Sequence, residues 1–291
     1  MVHISVLKKE ILGHLNPQPG DRIIDGTLDG GGHAYAFLEK IAPGGTVLGI
    51  EQDGAMIAAL KSKIQISNDK LWENLIVAHG NFRNIDAIAK KNNFVPAQGI
   101  LLDLGMSTWH LRESGRGFSF QKPDEPLLMN LDSSGSANAA ALLSGLPEKE
   151  LERIFREYGE ERRSRFIARM IVTGRKKIKI RSVDDLIAIL GVRNRKSLAR
   201  IFQALRIAVN DELEALREGI EHGIAVLAPQ GQLAIISYHS LEDRIVKQLF
   251  NTYVKTGRGT TVTKKPIIPT HEEIRQNPSS RSAKLRIFKK T

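Results

Sequence analysis

The chain has 291 residues, 41% of them apolar and 5% aromatic, enough for one large domain or two modest ones around a mainly aliphatic core. It has no cysteine, which excludes disulfides and thiolate metal sites and fits a reducing compartment. The net charge of +11 is uneven: residues 162–206 carry +12 and residues 255–291 carry +8, leaving −9 for the rest, so a polyanion partner is expected rather than plain solvated helix faces.

The first residues, MVHISVLKKEIL, hold no apolar run of signal-peptide length and mix both charge signs. No stretch approaches the ~18 consecutive apolar residues of a membrane span. A cytoplasmic protein that engages no membrane is expected. RIIDGTL (22–28) reads as a strand running into a glycine loop. HAYAFLEKIA (33–42) is helical, with Ala34, Phe37, Leu38 and Ile41 on one face, and PGG (43–45) ends it. TVLGIEQ (46–52) and LIVAHGN (75–81) are further strands, each followed by a helix, over 54–65 and 84–94. QGILLDLG (98–105) is the fourth strand. The alternation implies parallel βαβ units with right-handed crossovers.

Residues 109–150 are loop-rich, with turn signals in RESGRGFSF and LDSSGSAN. Residues 147–206 read as successive helices with no strand between them. Strand pattern resumes at GQLAIISY (231–238), after a helix closed by Pro229 and Gly231. TTVTKKPIIP (260–269) and AKLRIFKK (283–290) read as two more strands. The expected organisation is an α/β sheet domain over residues 1–109 and 201–291, interrupted by a helical insertion over 110–200.

Between the first strand and first helix lies GTLDGGGHAY (26–35), with four glycines in seven positions. Glycine is costly to order, so such a cluster implies backbone that must be free of side chains. In an open α/β sheet this loop sits where nucleotides bind, at helix N–H groups and the carboxyl ends of the strands. Glu51 ends the second strand, where a carboxylate accepts hydrogen bonds from ribose hydroxyls. The dinucleotide triplet G-x-G-x-x-G is absent. Asp25 precedes the loop, where it would repel a pyrophosphate and pair with an ammonium. S-adenosylmethionine, with an ammonium, a sulfonium and no phosphate, therefore fits better than NAD; a tight turn without ligand is the third reading. Asp103 ends the fourth strand, beside the first across the switch point, and so lies close to such a donor; an N-cap is its other common use. Phe82, after the third strand, either faces an adenine or fills core. HEE at 271–273 lacks HExxH spacing, and Ser237, His239 and Asp243 lack a G-x-S-x-G elbow, so neither a metal site nor a hydrolase triad is expected.

GTLDGGGH, ILLDLGMST, RGFSF, YGEER, FQALRIAVNDEL, ISYHSLEDRIVK and NPSSRSAKLR occur in this order. From His3 to Arg286 the chain resembles the bacterial 16S ribosomal RNA cytosine-N4 methyltransferases, the MraW/RsmH family. The resemblance implies a class I S-adenosylmethionine-dependent methyltransferase: a Rossmann-like α/β fold with a mostly parallel seven-stranded sheet and an inserted helical domain for RNA recognition. It implies S-adenosylmethionine as cofactor and a cytosine amino nitrogen in the decoding region as acceptor. The partner is small-subunit ribosomal RNA or the assembled small subunit, and both monomer and homodimer are compatible with it. Carried over by position, the cofactor contacts are Gly31, Gly32, His33, Glu51, Phe82, Asp103 and His110, joined by Asp25 from the charge argument. The sequence departs from the family at Glu51 (usually Asp), His110 (usually Gln), Asp29 (usually Gly or basic), Leu128 and Asn130 of EPLLMNLD (usually an acid and an arginine) and Ser279 (usually Arg).

Methyl transfer to a nitrogen whose lone pair is shared with a ring needs alignment, a dry site and a hydrogen-bond acceptor that then takes the proton. Asp103 is the first choice for that acceptor. His239, with Ser240, is the second; its other use is to cap the strand end. The basic helices of the insertion, Arg175, Lys176 and Lys177 among them, would grip phosphates. Phe118 and Phe120 either order the mouth of the crevice or fill the insertion core. A non-catalytic RNA-binding factor is the rival class.

Overall fold

The computed structural model describes residues 5–132, 135, 137–191 and 194–291. His3, part of the LDSSGSAN turn and Arg193 of the first basic run lie outside the described residues. Along the chain run α1 (Lys8–Leu15), β1 (Arg22–Asp25), α2 (Gly32–Ile41), β2 (Thr46–Glu51), α3 (Gly54–Ser67), β3 (Leu75–His79), α4 (Ile85–Lys91) and β4 (Ala97–Asp103). The helices α5 (Thr108–Arg112), α6 (Ala139–Gly145), α7 (Glu148–Glu157), α8 (Ser164–Gly174), α9 (Val183–Leu190), α10 (Arg195–Asn210) and α11 (Glu212–Val226) follow. The chain ends with β5 (Leu227–Ser237), α12 (Ser240–Lys255), β6 (Gly259–Thr261), α13 (His271–Gln276) and β7 (Lys284–Lys290).

The chain divides into two compact units, residues 1–105 with 213–291, and residues 106–212. A boundary at 200 cuts α10 in two, because helical periodicity does not say which core a helix joins. In the first unit the described strands form one sheet in the order β3-β2-β1-β4-β5-β7-β6, a mostly parallel seven-stranded sheet of the class I methyltransferase type. β1, β2, β3, β4 and β5 pair parallel, and β7 pairs antiparallel with β5 and β6. Successive strand residues face opposite layers. Ile23, Val47, Leu101, Ala234 and Ile236 pack on the side of α1 and α2. Ile24, Leu48, Ile100, Leu102 and Ile235 pack on the side of α4, α11 and α12. Both faces are therefore covered, which is why these strands read as unbroken apolar runs.

Chain order reverses between β1 and β4, with β2 on one side of β1 and β4 on the other. That is the switch point at which the carboxyl ends of the strands open a crevice. Asp25, Glu51 and Asp103 are the last residues of β1, β2 and β4, so one acid stands at the mouth of each.

The helical unit has its own core around Phe155, Ile171 and Leu205. Its family-like stretches are mostly scaffold. In YGEER, a Cβ on Gly159 would lie 2.7 Å from the Arg200 carbonyl oxygen, so glycine lets α10 approach the end of α7. Glu161 is buried and accepts from the Arg163 N–H at 2.9 Å and the Ser197 hydroxyl at 2.9 Å. Asn210 accepts from the Leu131 N–H at 2.8 Å and donates to the Met129 carbonyl at 2.8 Å, which fastens EPLLMNLD to the end of α10.

Several elements differ from the sequence expectation. The stretch 260–269 yields only the three-residue β6 and one bridge at Ile267, because Pro266 and Pro269 have no N–H to give a ladder. α12 begins immediately after β5, within ISYHSLEDRIVK, a helix that the strand-and-turn reading does not place. α1 and α13 are additional; the left-handed Leu7 before α1 donates its N–H to Glu273 Oε1 at 2.7 Å, across 266 residues of sequence.

Ile236 is wholly buried and pairs with Asp103 on β4 and Leu285 on β7. Ile236→Ala is expected to cost about 2–5 kcal/mol, read as a lower urea midpoint by circular dichroism.

Candidate functional site

The glycine loop is held from both sides. Gly26 N–H donates to the Leu101 carbonyl at 2.9 Å and Leu28 N–H to the Ile50 carbonyl at 2.9 Å, so the loop is anchored to β4 and β2. Gly31 has φ +75°, and a Cβ there would lie 2.9 Å from the Trp72 ring and 3.0 Å from Leu60. Part of the glycine demand is thus internal: the chain turns left-handed against a tryptophan. Gly30 has nothing within 4 Å of such a Cβ, so the space beside its Cα is open, while its carbonyl accepts from Lys63 Nζ at 3.0 Å. Gly32 starts α2 and brings His33 into the protein interior. Asp29 has φ +44°, a region asparagine and aspartate enter more readily than most residues. That conformation explains why glycine also suits the position.

Around this loop five carboxylates gather: Asp25, Asp29, Glu51, Asp53 and Asp103. Two are well solvated by the protein itself. Glu51 accepts from the Asp29 N–H at 2.9 Å and the Asp53 N–H at 2.8 Å. Asp53 caps α3 by accepting from the Ala55 N–H at 2.9 Å. Asp25 is less well served. Its Oδ1 accepts one N–H from Thr27 at 3.2 Å, while Oδ2 is buried with no hydrogen-bond partner among the described residues. Burial pushes its carboxyl up to about 7, helped by Asp103 and Glu51 and opposed by His33. Asp29 is pushed up in the same way, by burial first and then by Glu51. His33 Nε2 is likewise buried without a hydrogen bond and stands 3.6 Å from Asp103 Oδ2.

Asp103 projects from the tip of β4. Its backbone N–H donates to Thr27 Oγ1 at 2.7 Å, and its Oδ1 accepts from the Gly105 N–H at 3.2 Å. The Tyr238 hydroxyl hydrogen-bonds its carboxylate. Burial raises that phenol well above its usual value, and Asp103 adds to the effect, so it is a neutral donor at any physiological pH. A Cβ on Gly105 would lie 2.7 Å from the Tyr238 ring, so glycine is needed for this approach. His239 has a structural role. Its Nδ1 accepts from the Glu242 N–H at 3.4 Å as the N-cap of α12, while Glu242 Oε2 takes the N–H groups of Tyr238 and His239 at 2.8 and 3.2 Å. Ser240 opens α12 and is exposed.

The arrangement suits a cationic ligand. Buried acids with an unsatisfied oxygen are stabilised by a positive charge and destabilised by a phosphate. The ammonium and sulfonium of S-adenosylmethionine meet that requirement; the pyrophosphate of NAD does not.

The whole chain, residues 1–291, matches the MraW methylase family. The chain belongs to that family. A relative from Dictyoglomus thermophilum, named ribosomal RNA small subunit methyltransferase H, is 38% identical over 290 residues, covering 98% of this chain and 96% of its own. Relatives of the same name from Heliobacterium mobile and Syntrophotalea carbinolica are 39% and 41% identical, each covering 99% of this chain and 98% of theirs. This MraW-family chain is therefore an S-adenosylmethionine-dependent methyltransferase, and the acid-lined crevice is its candidate cofactor site.

The remaining expected site residues divide. Phe82 is half-buried, its ring 2.6 Å from where a Cβ on Gly219 of α11 would be, so it is wedged against the core beside the loop. His110 belongs to the helical unit; its Nδ1 lies 2.8 Å from Ser107 Oγ and its ring stands edge-on to Phe118. Phe118 is buried in the helical core and Phe120 stands edge-on to Phe202 at 5.8 Å, so both fill the insertion core. Sequence reasoning missed Asp53 and Tyr238. Asp53 was visible as an acid one residue before a helix; Tyr238 depends on which residue of β5 meets β4, a register that no local pattern carries.

Asp25 keeps its proton to higher pH in the folded chain than in the unfolded one. Between 3.8 and about 7 the folded state binds more protons, so the stability of the ligand-free protein falls as pH rises through that window. Asp25→Asn is expected to flatten this decline and to raise the Tm at pH 8 by ~5 °C or more, with weaker S-adenosylmethionine binding by calorimetry.

Proposed function

We propose that this methyltransferase modifies the exocyclic N4 of a cytidine in small-subunit ribosomal RNA. What supports this most is the pairing of a desolvated, cation-seeking acid cluster with a separately held carboxylate, Asp103, at the same sheet switch point. S-adenosylmethionine supplies an electrophilic methyl carbon on a sulfonium when bound. Asp25 and Asp29 balance its charge, Glu51 accepts from ribose hydroxyls, and Phe82 closes the loop side. Asp103 accepts a hydrogen bond from the cytosine amino group, which localises the nitrogen lone pair, and then holds the released proton. Gly105 and Tyr238 hold the carboxylate for that task, and Thr27 holds the backbone that carries it. His239 is the poorer acceptor, since its Nδ1 is engaged in capping α12.

The helical unit supplies the phosphate grip. Arg162, Arg163 and Arg165 at the start of α8 are exposed, and Arg163 lies 4.6 Å over the ring of Phe166, which is 47% exposed. An exposed aromatic among cations is a stacking platform for a base. Arg175 has a different role: its Nη1 donates to the Leu143 and Leu146 carbonyls at 2.8 and 2.7 Å and ties the end of α8 to that of α6. Lys176 and Lys177 remain as exposed cations.

Small subunits lacking the modification, incubated with labelled S-adenosylmethionine and mapped by mass spectrometry, should gain one methylated cytidine. Absence of label would instead favour a non-catalytic RNA-binding factor. Asp103→Asn should lower turnover by ~10²-fold or more, and His239→Ala by less; equal small losses would remove Asp103 as proton acceptor. Reversing Lys176 and Lys177 should flatten the salt dependence of single-stranded RNA binding by ~0.7 in log–log slope for each phosphate no longer neutralised.

A further inference from the structure

A cavity of about 340 Å³ opens beside Tyr238, on the far side of β5 from the glycine loop. That size lies at the lower end of small-ligand sites, about 300–1,000 Å³. Its walls come from four separate pieces of chain: Tyr238 and Ser240 at the end of β5 and start of α12, the segment Ile268–Pro269, Ile274 on α13, and the run from Arg281, on the turn before β7, to Lys284 at its start.

The walls are anchored. Ile267 and Leu285 exchange both backbone hydrogen bonds, at 2.9 and 2.8 Å, which pins the apolar segment to the edge of β7. Ser280 is wholly buried and donates its hydroxyl to the Asn277 carbonyl at 2.8 Å, which fixes the turn that carries Arg281. The cavity is thus built by the fold rather than by mobile side chains.

The chemistry of the lining is divided. Lys284 is already paired, with its Nζ 3.2 Å from Asp243 Oδ2. The N–H groups of Tyr238 and His239, just before α12, are taken up by the Glu242 carboxylate. Arg281 is exposed and has neither hydrogen bond nor ion pair among the described residues. Across from it Ile268 stands 63% exposed above the buried Pro269, a large apolar surface left in water beside an unpaired guanidinium. A ligand that satisfies both carries a flat apolar face and an anion. A nucleotide is such a ligand.

Position narrows the source. Register pairs Asp103 with Ile236 on β5 and Ser237 with Lys284 on β7. The strand tips therefore step from the acceptor carboxylate to the cavity at ~4.8 Å per strand. Tyr238 belongs to both places, lining the cavity while its hydroxyl reaches Asp103. We propose that this cavity is a subsite for the nucleotide adjoining the acceptor cytidine in the RNA strand, its base against Ile268 and Pro269 and its phosphodiester on Arg281. The proposal rests on the RNA-methyltransferase reading above.

Arg281→Gln and Ile268→Ser change exposed side chains, so both variants should keep the wild-type Tm and the wild-type calorimetric affinity for S-adenosylmethionine. Binding of a fluorescein-labelled single-stranded RNA spanning the modified region, followed by anisotropy across a salt series, is the test. Arg281→Gln should weaken binding about tenfold and flatten the log–log salt slope by ~0.7, the value for one single-strand phosphate. Arg281→Lys should restore the slope. Ile268→Ser should weaken binding several-fold with the slope unchanged. If Arg281→Gln and Ile268→Ser both bind like a wild type that still methylates the subunit, the subsite is overturned while the enzyme reading stands, and the cavity belongs to a protein ligand or to none. Loss of RNA binding and of methylation in the wild type itself would overturn both.

Discussion

Everything at this site depends on carboxylates gathered where parallel strands end. Five acids in one desolvated crevice repel one another, and a folded chain tolerates them only where something else solvates the charge. Glu51 and Asp53 are served by backbone N–H groups of the loop and of α3. Asp25 is not fully served, so its carboxyl rises to about 7 and Oδ2 stays without a partner among the described residues. A bound positive charge would relieve the strain. Affinity for a sulfonium with an ammonium, and rejection of a pyrophosphate, would then follow from one electrostatic cause rather than from separate interactions.

The surrounding backbone exists to hold that arrangement. Gly31 turns left-handed because Trp72 fills the space a side chain would need. Thr27 and Gly105 grip Asp103 from the β1 and β4 sides, and Tyr238 grips it from β5. Motifs that suggest chemistry are often scaffold instead. Glu161 of YGEER anchors α10, and Asn210 of FQALRIAVNDEL fastens the segment that departs most from the family pattern. Because Asn210 holds that segment by the backbone of Met129 and Leu131, the side-chain changes at Leu128 and Asn130 leave its attachment intact.

The strands were legible because a parallel sheet buries both faces and prints an apolar run between turn signals. Asp25, Glu51 and Asp103 were legible because each stands at the end of such a run. What escaped was set by distance or by competition. The start of α1 depends on Glu273, 266 residues away. β6 is short because two prolines override the β-branched residues around them. Arg175 looks like any other cation in a basic run, yet two carbonyls of another helix claim it. His239 looks like a catalytic base from its place after β5, and the helix that begins beside it converts it into a cap.

The charge asymmetry of the chain has a mechanical consequence for an RNA substrate. A crevice lined by Asp25, Asp29, Glu51 and Asp103 disfavours a phosphodiester and would favour a sulfonium. A neutral base can enter it; the backbone that carries the base cannot follow. The acceptor must therefore be extended away from its own strand, as bases are for chemistry on their edges. Cations are useful only outside the acid crevice, where the backbone is left behind. Arg281, on the turn before β7, is no part of the acid cluster, and a positive charge outside that cluster is what an extended base requires of its flanking phosphate.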